Sequence, residues 1–424
     1  MSRGRIAFAL LLCVPFVFLF ARTPPPTVAP GCLHRLTIAG AAHITHVCDS
    51  VSIVSEMQNL EHFLTQDNAW RARPVYIVVA AGLATALSPA AALVNVAAIK
   101  GRATGVPAGD FTKRFTAYFA LIVFNFIVLG LALILGRRLV GEKDGLLAIA
   151  LGAAIVTSDL VHGLFWTQHS NFMNLLIPVG CIFYFVQGCR ARQMQPLDIA
   201  VAGLAAGAAV LMYAYAVLWL PAFVVGSLYR DWRMSQPPSA AARNLIRMLP
   251  PFAVAGCGPV VAWWALNRWW LHVTVSYEAE SFRQFVWLAD AWRDGDLGAA
   301  IADKWHQFFP DVLVWAGWPA LAVLIVVAAL LLAGRDKRTW SMADFARDPI
   351  IIAVLLTIVS MLVFNFLQGY YQPRLVNGLT LALFVALART AQMSGHERTG
   401  AWLLFGISAG QVVDAFISPA LSLT

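Results

Sequence analysis

The sequence predicts an all-α polytopic membrane protein: a bundle of about eleven transmembrane helices with an extracytoplasmic first loop carrying amphipathic juxtamembrane helices. Three observations predict it. Hydrophobic residues make up 60% of the 424-residue chain and charged residues only 12%, where a soluble globule has about a quarter of its residues charged. Apolar runs near the roughly 20 residues needed to span a bilayer recur along the chain. Between them, the acids, bases and cations gather in one stretch, residues 46 to 76, HVCDSVSIVSEMQNLEHFLTQDNAWRARPVY. The net charge of +8 reads as Lys and Arg of cytoplasmic loops facing anionic lipid. No basic cluster with interleaved aromatics stands clear of the membrane, so nucleic acid is not a partner.

The first span runs from about Ile6 to Phe20 behind Arg3 and Arg5, making residues 1–21 a first transmembrane helix or signal anchor. The proline-rich ARTPPPTVAP that follows lacks a small-residue cleavage site directly after the apolar core, which favours retention; Ala21 keeps cleavage open. Residues 22–114 are expected to form an extracytoplasmic loop with juxtamembrane or re-entrant helices, the candidate active region. It contains Cys32 and Cys48, a disulfide or two thiols. Residues 115–270 are the transmembrane core, 271–310 a second extracytoplasmic loop, and 311–424 the C-terminal transmembrane helices. Within the core, residues 198 to 229 split at Tyr213–Tyr215 into two tilted helices.

Orientation depends on residues 74 to 99. If this segment does not cross, more of the 30 basic residues fall on the cytoplasmic side, as the positive-inside rule prefers. It is therefore expected to be a re-entrant hairpin or juxtamembrane helices, broken at Ser88-Pro89, where proline removes a backbone donor. One continuous span is the alternative.

In the first loop, Ile53, Met57, Leu60 and Leu64 recur at helical spacing, with Ser55, Gln58, Asn59 and His62 on another face. This pattern predicts one amphipathic helix on the bilayer surface, leading from Asp49 back to Arg71 and Arg73. A carboxylate at one end and two guanidiniums at the other, at headgroup level, suit chemistry on a lipid-linked phosphate. Arginine forks hold phosphate oxygens bidentately, and a carboxylate can take the proton of an attacking hydroxyl. The plainer reading is a set of solvated loop charges near headgroups.

These stretches resemble the GT-C class of membrane glycosyltransferases, especially the branch of protein O-mannosyltransferases and the lipid A aminoarabinose transferase. HVCDSVSIVSE sits where that branch has its Asp-Glu start, so the resemblance puts Asp49 at the catalytic acid's position, with Ser50 in place of the usual Glu. ARPVY sits where the family has a Lys-Pro-Pro-Leu-Tyr-like string, so Arg73 takes the place of the phosphate-contacting lysine and Tyr76 that of the aromatic. LALILGRRLVGEKDGLLAIALGAAIVTSD, AGLAAGAAVLMYAYAVLWLPAFVVGSLYRDWR and QGYYQPRLVNGLTLALFVALA resemble later helices of the class. One departure stands out: HSNFMN replaces the family's second acidic residue, leaving Asn171 or Asn174 there, so neither the family's acceptor chemistry nor its use of a divalent metal carries over with the resemblance.

The resemblance implies a GT-C-like enzyme of the bacterial plasma membrane whose active site lies on the extracytoplasmic face. It would transfer a sugar from a polyprenyl-phosphate-linked donor to a glycan, lipid or protein acceptor, with inversion. Asp49 would be the base, with Glu56 as a second carboxylate; Arg71, Arg73, Tyr76 and Arg374 would bind the donor phosphate. Asp159, His162, His169, Asn171, Tyr370 and Tyr371 would line the cavity and meet the acceptor; an interhelical network or helix-end anchoring is the alternative. No cofactor is certain, and no known ligand spacing joins His34, His43, His46 and His62.

Two other classes compete. An O-antigen ligase or polymerase would rely on late-loop residues such as Arg283, Arg293 and His306. A non-enzymatic flippase or transporter would place charges mid-span and show repeated halves, and the sequence has neither.

Overall fold

The first apolar run does not form one long helix. In the computed structural model, α1 (Arg3–Leu11) ends ahead of Pro15, and Val14–Leu19 continues as a 3-10 helix. Proline has no N–H to give to the carbonyl four residues back, here that of Leu11, so the α-helix stops there. The Pro15 carbonyl instead accepts a hydrogen bond from Trp166 Nε1 at 2.6 Å.

The structure describes residues 3–19, 34–38, 42–46, 48–65, 69–98, 103–104, 108–141, 145–166, 169–273, 283–313, 321, 323–328, 330, 341–369, 371 and 377–417. They divide into two units. Five described helical stretches are long and apolar enough to cross a membrane: Pro74–Ala91, Phe115–Val140, Ser170–Gln193, Pro238–Trp270 and Pro349–Gln368. Ile6–Phe18, Gly145–Val156, Pro196–Met212 and Gly378–Met393 are shorter apolar helices. The chain is an integral membrane protein with a helical fold.

The first unit holds residues 1–64, 76–176 and 401–424. Its first loop adds a small antiparallel sheet that apolar periodicity does not announce. β1 (His34–Ile38) pairs with β2 (Ala42–His46), His34 opposite His46, and on its other edge with β3 (Ala103–Thr104). The expected single amphipathic helix is two, α2 (Cys48–Gln58) and α3 (Leu60–Thr65), divided at Asn59. The Asn59 Oδ1 accepts from the backbone N–H of His62 at 3.0 Å, so its side chain starts the second helix. The division rotates the apolar face: Ile53, Met57 and Phe63 are buried, whereas Leu60 and Leu64 are exposed.

The hairpin expected at Ser88-Pro89 is not formed. α4 (Pro74–Ala98) is one 25-residue helix running through Pro89. A proline costs the helix one backbone hydrogen bond, and apolar helices at membrane depth tolerate that local loss. Pro74 at the first turn suits the start, where its missing N–H has no intrahelical partner.

α5 (Ala108–Val140), α6 (Gly145–Val156) and α7 (Asp159–Leu164) complete this unit with the C-terminal helix Glu397–Ile417. A Cβ on Gly152 of α6 would stand 2.6 Å from Leu11 Cδ1 of α1, so this glycine sets their close approach. Asn125 Nδ2 donates to the Phe165 carbonyl at 2.8 Å, satisfying a buried amide. The Thr157 hydroxyl bridges the Ala153 carbonyl and the Gln411 amide, both at 2.8 Å, and ties α6 to the C-terminal helix.

The second unit holds residues 65–75 and 177–400. It contains α8 (Leu176–Arg190) from Ile177 onward, α9 (Pro196–Met212), α10 (Trp219–Arg233), α11 (Pro238–Ala265), α12 (Val286–Asp294) and α13 (Leu297–Val312). α14 (Met342–Ala346), α15 (Pro349–Gln368) and α16 (Gly378–Met393) follow. The expected split at Tyr213–Tyr215 is present, between α9 and α10. α9 packs along α11 with backbones touching: a Cβ on Gly207 would overlap the Gly256 carbonyl. Asp348 caps α15 by accepting from Ile350 N–H at 3.0 Å and pairs with Arg389 of α16 at 2.6 Å.

Candidate functional site

Arg71 lies on a short 3-10 turn, Ala69–Ala72, and Arg73 follows it directly, just ahead of α4. Trp70 and Arg71 are buried and Arg73 is half-buried. Trp263 of α11 donates its indole N–H to the Arg71 carbonyl at 2.9 Å, and the Arg73 N–H donates to the Trp70 carbonyl at 2.8 Å. The backbone of the turn is therefore fixed at both arginines.

The Arg73 side chain is held by aromatic rings. Its guanidinium carbon lies 5.2 Å from the Trp70 ring centroid and 5.4 Å from that of Tyr213. Ring quadrupoles attract a cation over their faces, while the N–H donors of a guanidinium point out in its plane. Tyr213 ends α9 in an extended conformation, and its ring stacks on Tyr215 with centroids 5.5 Å apart. The Tyr215 hydroxyl lies in close hydrogen-bond contact with the Asn365 and Gln368 amides of α15, all three buried. The phenol has one proton and faces two amide oxygens, Asn365 Oδ1 and Gln368 Oε1, so it donates to one of them at a time.

The acids belong to the first unit. Asp49 lies in the first turn of α2, and its side chain is outside the described residues. Glu56, on the same helix, is buried, with Oε2 3.2 Å from His62 Nδ1 of α3. Tyr76 is fully buried, its ring edge-on to Phe124 at 4.9 Å, so it serves the core of this unit.

Asp159 and His162 stand at the ends of one turn of α7. Burial, and then the negative charge of Asp414 on the C-terminal helix, push the Asp159 carboxyl above the usual carboxylate range. Burial pushes the His162 imidazole down, against the opposing pull of Asp414. The Phe18 ring lies 5.4 Å from that of His162. His169 and Asn171 are both buried, and His169 Nδ1 accepts from Asn171 N–H at 3.0 Å, capping the Ser170–Leu175 turn. That pair supports the chain locally.

In the second unit, the Tyr371 hydroxyl donates to the Phe366 carbonyl at 3.2 Å. Lys304 Nζ lies 5.9 Å from its ring centroid, and burial with the nearby Asp303 charge pushes the phenol up to about 12. Tyr370, Arg374 and the Cys32–Cys48 pairing fall outside the described residues. In the second loop, Arg283 and Arg293 both pair with Asp290, which neutralises part of the charge a ligase-type site would need. Among the described residues, no group of three or more His, Cys, Asp or Glu is placed to hold a metal ion.

Sequence reasoning did not select His62, Trp263, Tyr213 or Asp414 as functional residues. His62 meets Glu56 because the helix restarts at Asn59, and the regular spacing of Ile53, Met57, Leu60 and Leu64 did not mark it. The other partners come from helices distant in sequence and left no local signal.

No protein-family model and no curated protein matches the chain. Among solved structures, the fold is similar to that of ArnT from Cupriavidus metallidurans, a structure bound to undecaprenyl phosphate. The two share a TM-score of 0.50 and 12% identity over 98% of this chain and 77% of that chain. The chain has the GT-C-like fold.

Proposed function

We propose that the protein is a membrane glycosyltransferase that takes a sugar from a polyprenyl-phosphate-linked donor and delivers it to an acceptor outside the cytoplasm. The observation that carries the reading is the likeness, across nearly the whole chain, to the fold of a protein bound to undecaprenyl phosphate. The arginine turn supports it. A half-buried Arg73 framed by Trp70 and Tyr213 presents a fixed, directional cation of the kind that holds phosphate oxygens.

In this reading, the Asp49 carboxylate takes the proton of the acceptor hydroxyl as its oxygen attacks the anomeric carbon. The bond from that carbon to the phosphate oxygen breaks, the configuration inverts, and polyprenyl phosphate leaves with the bonding pair. Arg71 and Arg73, with Arg374, take up the charge that develops on the leaving phosphate. Asp159 and His162 meet the acceptor. The membrane is that of a bacterial cell envelope.

The test is release of polyprenyl phosphate by purified protein from a panel of undecaprenyl-phosphate sugars with glycan, lipid and peptide acceptors. Acceptor-dependent release is expected for one donor. A protein that binds undecaprenyl phosphate and releases none with any pairing is a carrier.

A further inference from the structure

We propose that Tyr213 is a positioning residue for Arg73: it fixes the guanidinium that receives the donor phosphate without touching the phosphate itself. The inference rests on the reading of Arg73 as a phosphate ligand and adds to it a device on a different helix. An arginine on a turn has several rotatable bonds, and ordering them at the moment of binding weakens affinity. The structure orders this one beforehand. Trp70, three residues earlier in the adjoining turn, and Tyr213, at the end of α9, both place a ring against the guanidinium, at 5.2 and 5.4 Å.

Tyr213 is itself held. It stacks on Tyr215, whose buried hydroxyl engages Asn365 and Gln368 at the end of α15. Both rings belong to the six-residue step, 213–218, where α9 gives way to α10, and Tyr213 takes the extended conformation that ends α9. The polar break between two apolar helices thereby becomes a support: α15 fixes Tyr215, Tyr215 fixes Tyr213, and Tyr213 fixes Arg73. What Tyr213 supplies to Arg73 is its ring face. Its contribution is therefore expected to survive removal of the hydroxyl and to disappear with the ring.

The experiment measures binding of undecaprenyl phosphate in detergent by wild type, Tyr213→Phe, Tyr213→Leu, Arg73→Ala and the Arg73→Ala/Tyr213→Leu double variant. Thermal unfolding is recorded for each, and Tyr213→Gln serves as a second ringless variant should the leucine protein not fold. Tyr213→Leu is expected to weaken binding roughly three- to tenfold, the factor a partly desolvated cation–π contact supplies. Tyr213→Phe should restore wild-type affinity, and the Tyr213 effect should vanish in the Arg73→Ala background. Wild-type affinity in Tyr213→Leu, with Arg73→Ala weakened, overturns the inference and leaves the phosphate reading standing. A Tyr213→Leu loss that persists when Arg73 is already alanine overturns it as well. Wild-type affinity in Arg73→Ala overturns the phosphate reading of Arg73 and the inference together.

Discussion

Trp263 of α11 donates its indole proton to the main-chain carbonyl of Arg71, 2.9 Å away and 192 residues earlier in the chain. This bond joins a long apolar helix to the turn that carries Arg71 and precedes Arg73, and it acts on the backbone rather than on the charge. Trp263→Phe keeps the ring and removes the donor, leaving the Arg71 carbonyl without this partner. The expected cost to stability is about 1 kcal/mol, read as a small fall in unfolding temperature. Undecaprenyl phosphate affinity should drop by roughly two- to fivefold, the equilibrium equivalent of a net hydrogen bond.

Glu56 and His62 form a pair that joins α2 to α3 across Asn59. Removing one partner of a buried carboxylate leaves it unsatisfied, at a cost of about 1–3 kcal/mol. His62→Ala should lower the unfolding temperature for that reason. Glu56→Gln, which keeps the shape and can still hydrogen-bond to the imidazole, should lower it less and retain sugar transfer. Loss of transfer in Glu56→Gln with folding intact would move the base from Asp49 to Glu56.

The sequence made the helical membrane architecture and several breaks legible, because both follow from local rules. Apolar composition and run length mark the spans, and the split at Tyr213–Tyr215 separates α9 from α10. Proline was read less well. Pro15 stopped a helix drawn as continuous, and Pro89 sits inside a helix drawn as broken. The same missing N–H operates in both, so the proline alone does not state whether a helix ends or runs on. The exposed Leu60 and Leu64 show the same limit, since one residue at Asn59 resets the helical phase. Trp263 and Tyr213 reach Arg71 and Arg73 as tertiary contacts from α11 and the end of α9, and no window along the chain contains both sides of them.

Asp159 carries a pH dependence of definite sign. Its folded carboxyl is raised, first by burial and then by Asp414, so the folded state favours the neutral acid. The resulting penalty is absent below the ordinary carboxylate pKa and grows as pH rises through the elevated one. Asp159→Asn should therefore gain stability relative to wild type at pH 8 and show little difference near pH 3.5. Unfolding temperatures of the two proteins at both values check this, and a gain confined to the acidic value would contradict it.

Gly207 is required by the contact of α9 with α11, where an added Cβ would overlap the Gly256 carbonyl. Gly207→Ala should cost about 1–3 kcal/mol through forced separation of the two helices. Gly258, whose added Cβ would meet nothing within 4 Å, gives the control: Gly258→Ala should leave the unfolding temperature close to wild type.

In the proposed reaction, Asp49 in the first turn of α2 activates the acceptor for attack on a lipid-linked sugar. The direct measurement is single-turnover transfer of radiolabelled sugar from a polyprenyl phosphate donor by wild type and Asp49→Asn, with donor binding followed in parallel. Loss of a general base typically lowers the rate by roughly 10²- to 10⁴-fold, so Asp49→Asn is predicted to bind donor as wild type does and to transfer at least about a hundredfold more slowly. Transfer at the wild-type rate by a folded Asp49→Asn protein would show that Asp49 is not the base.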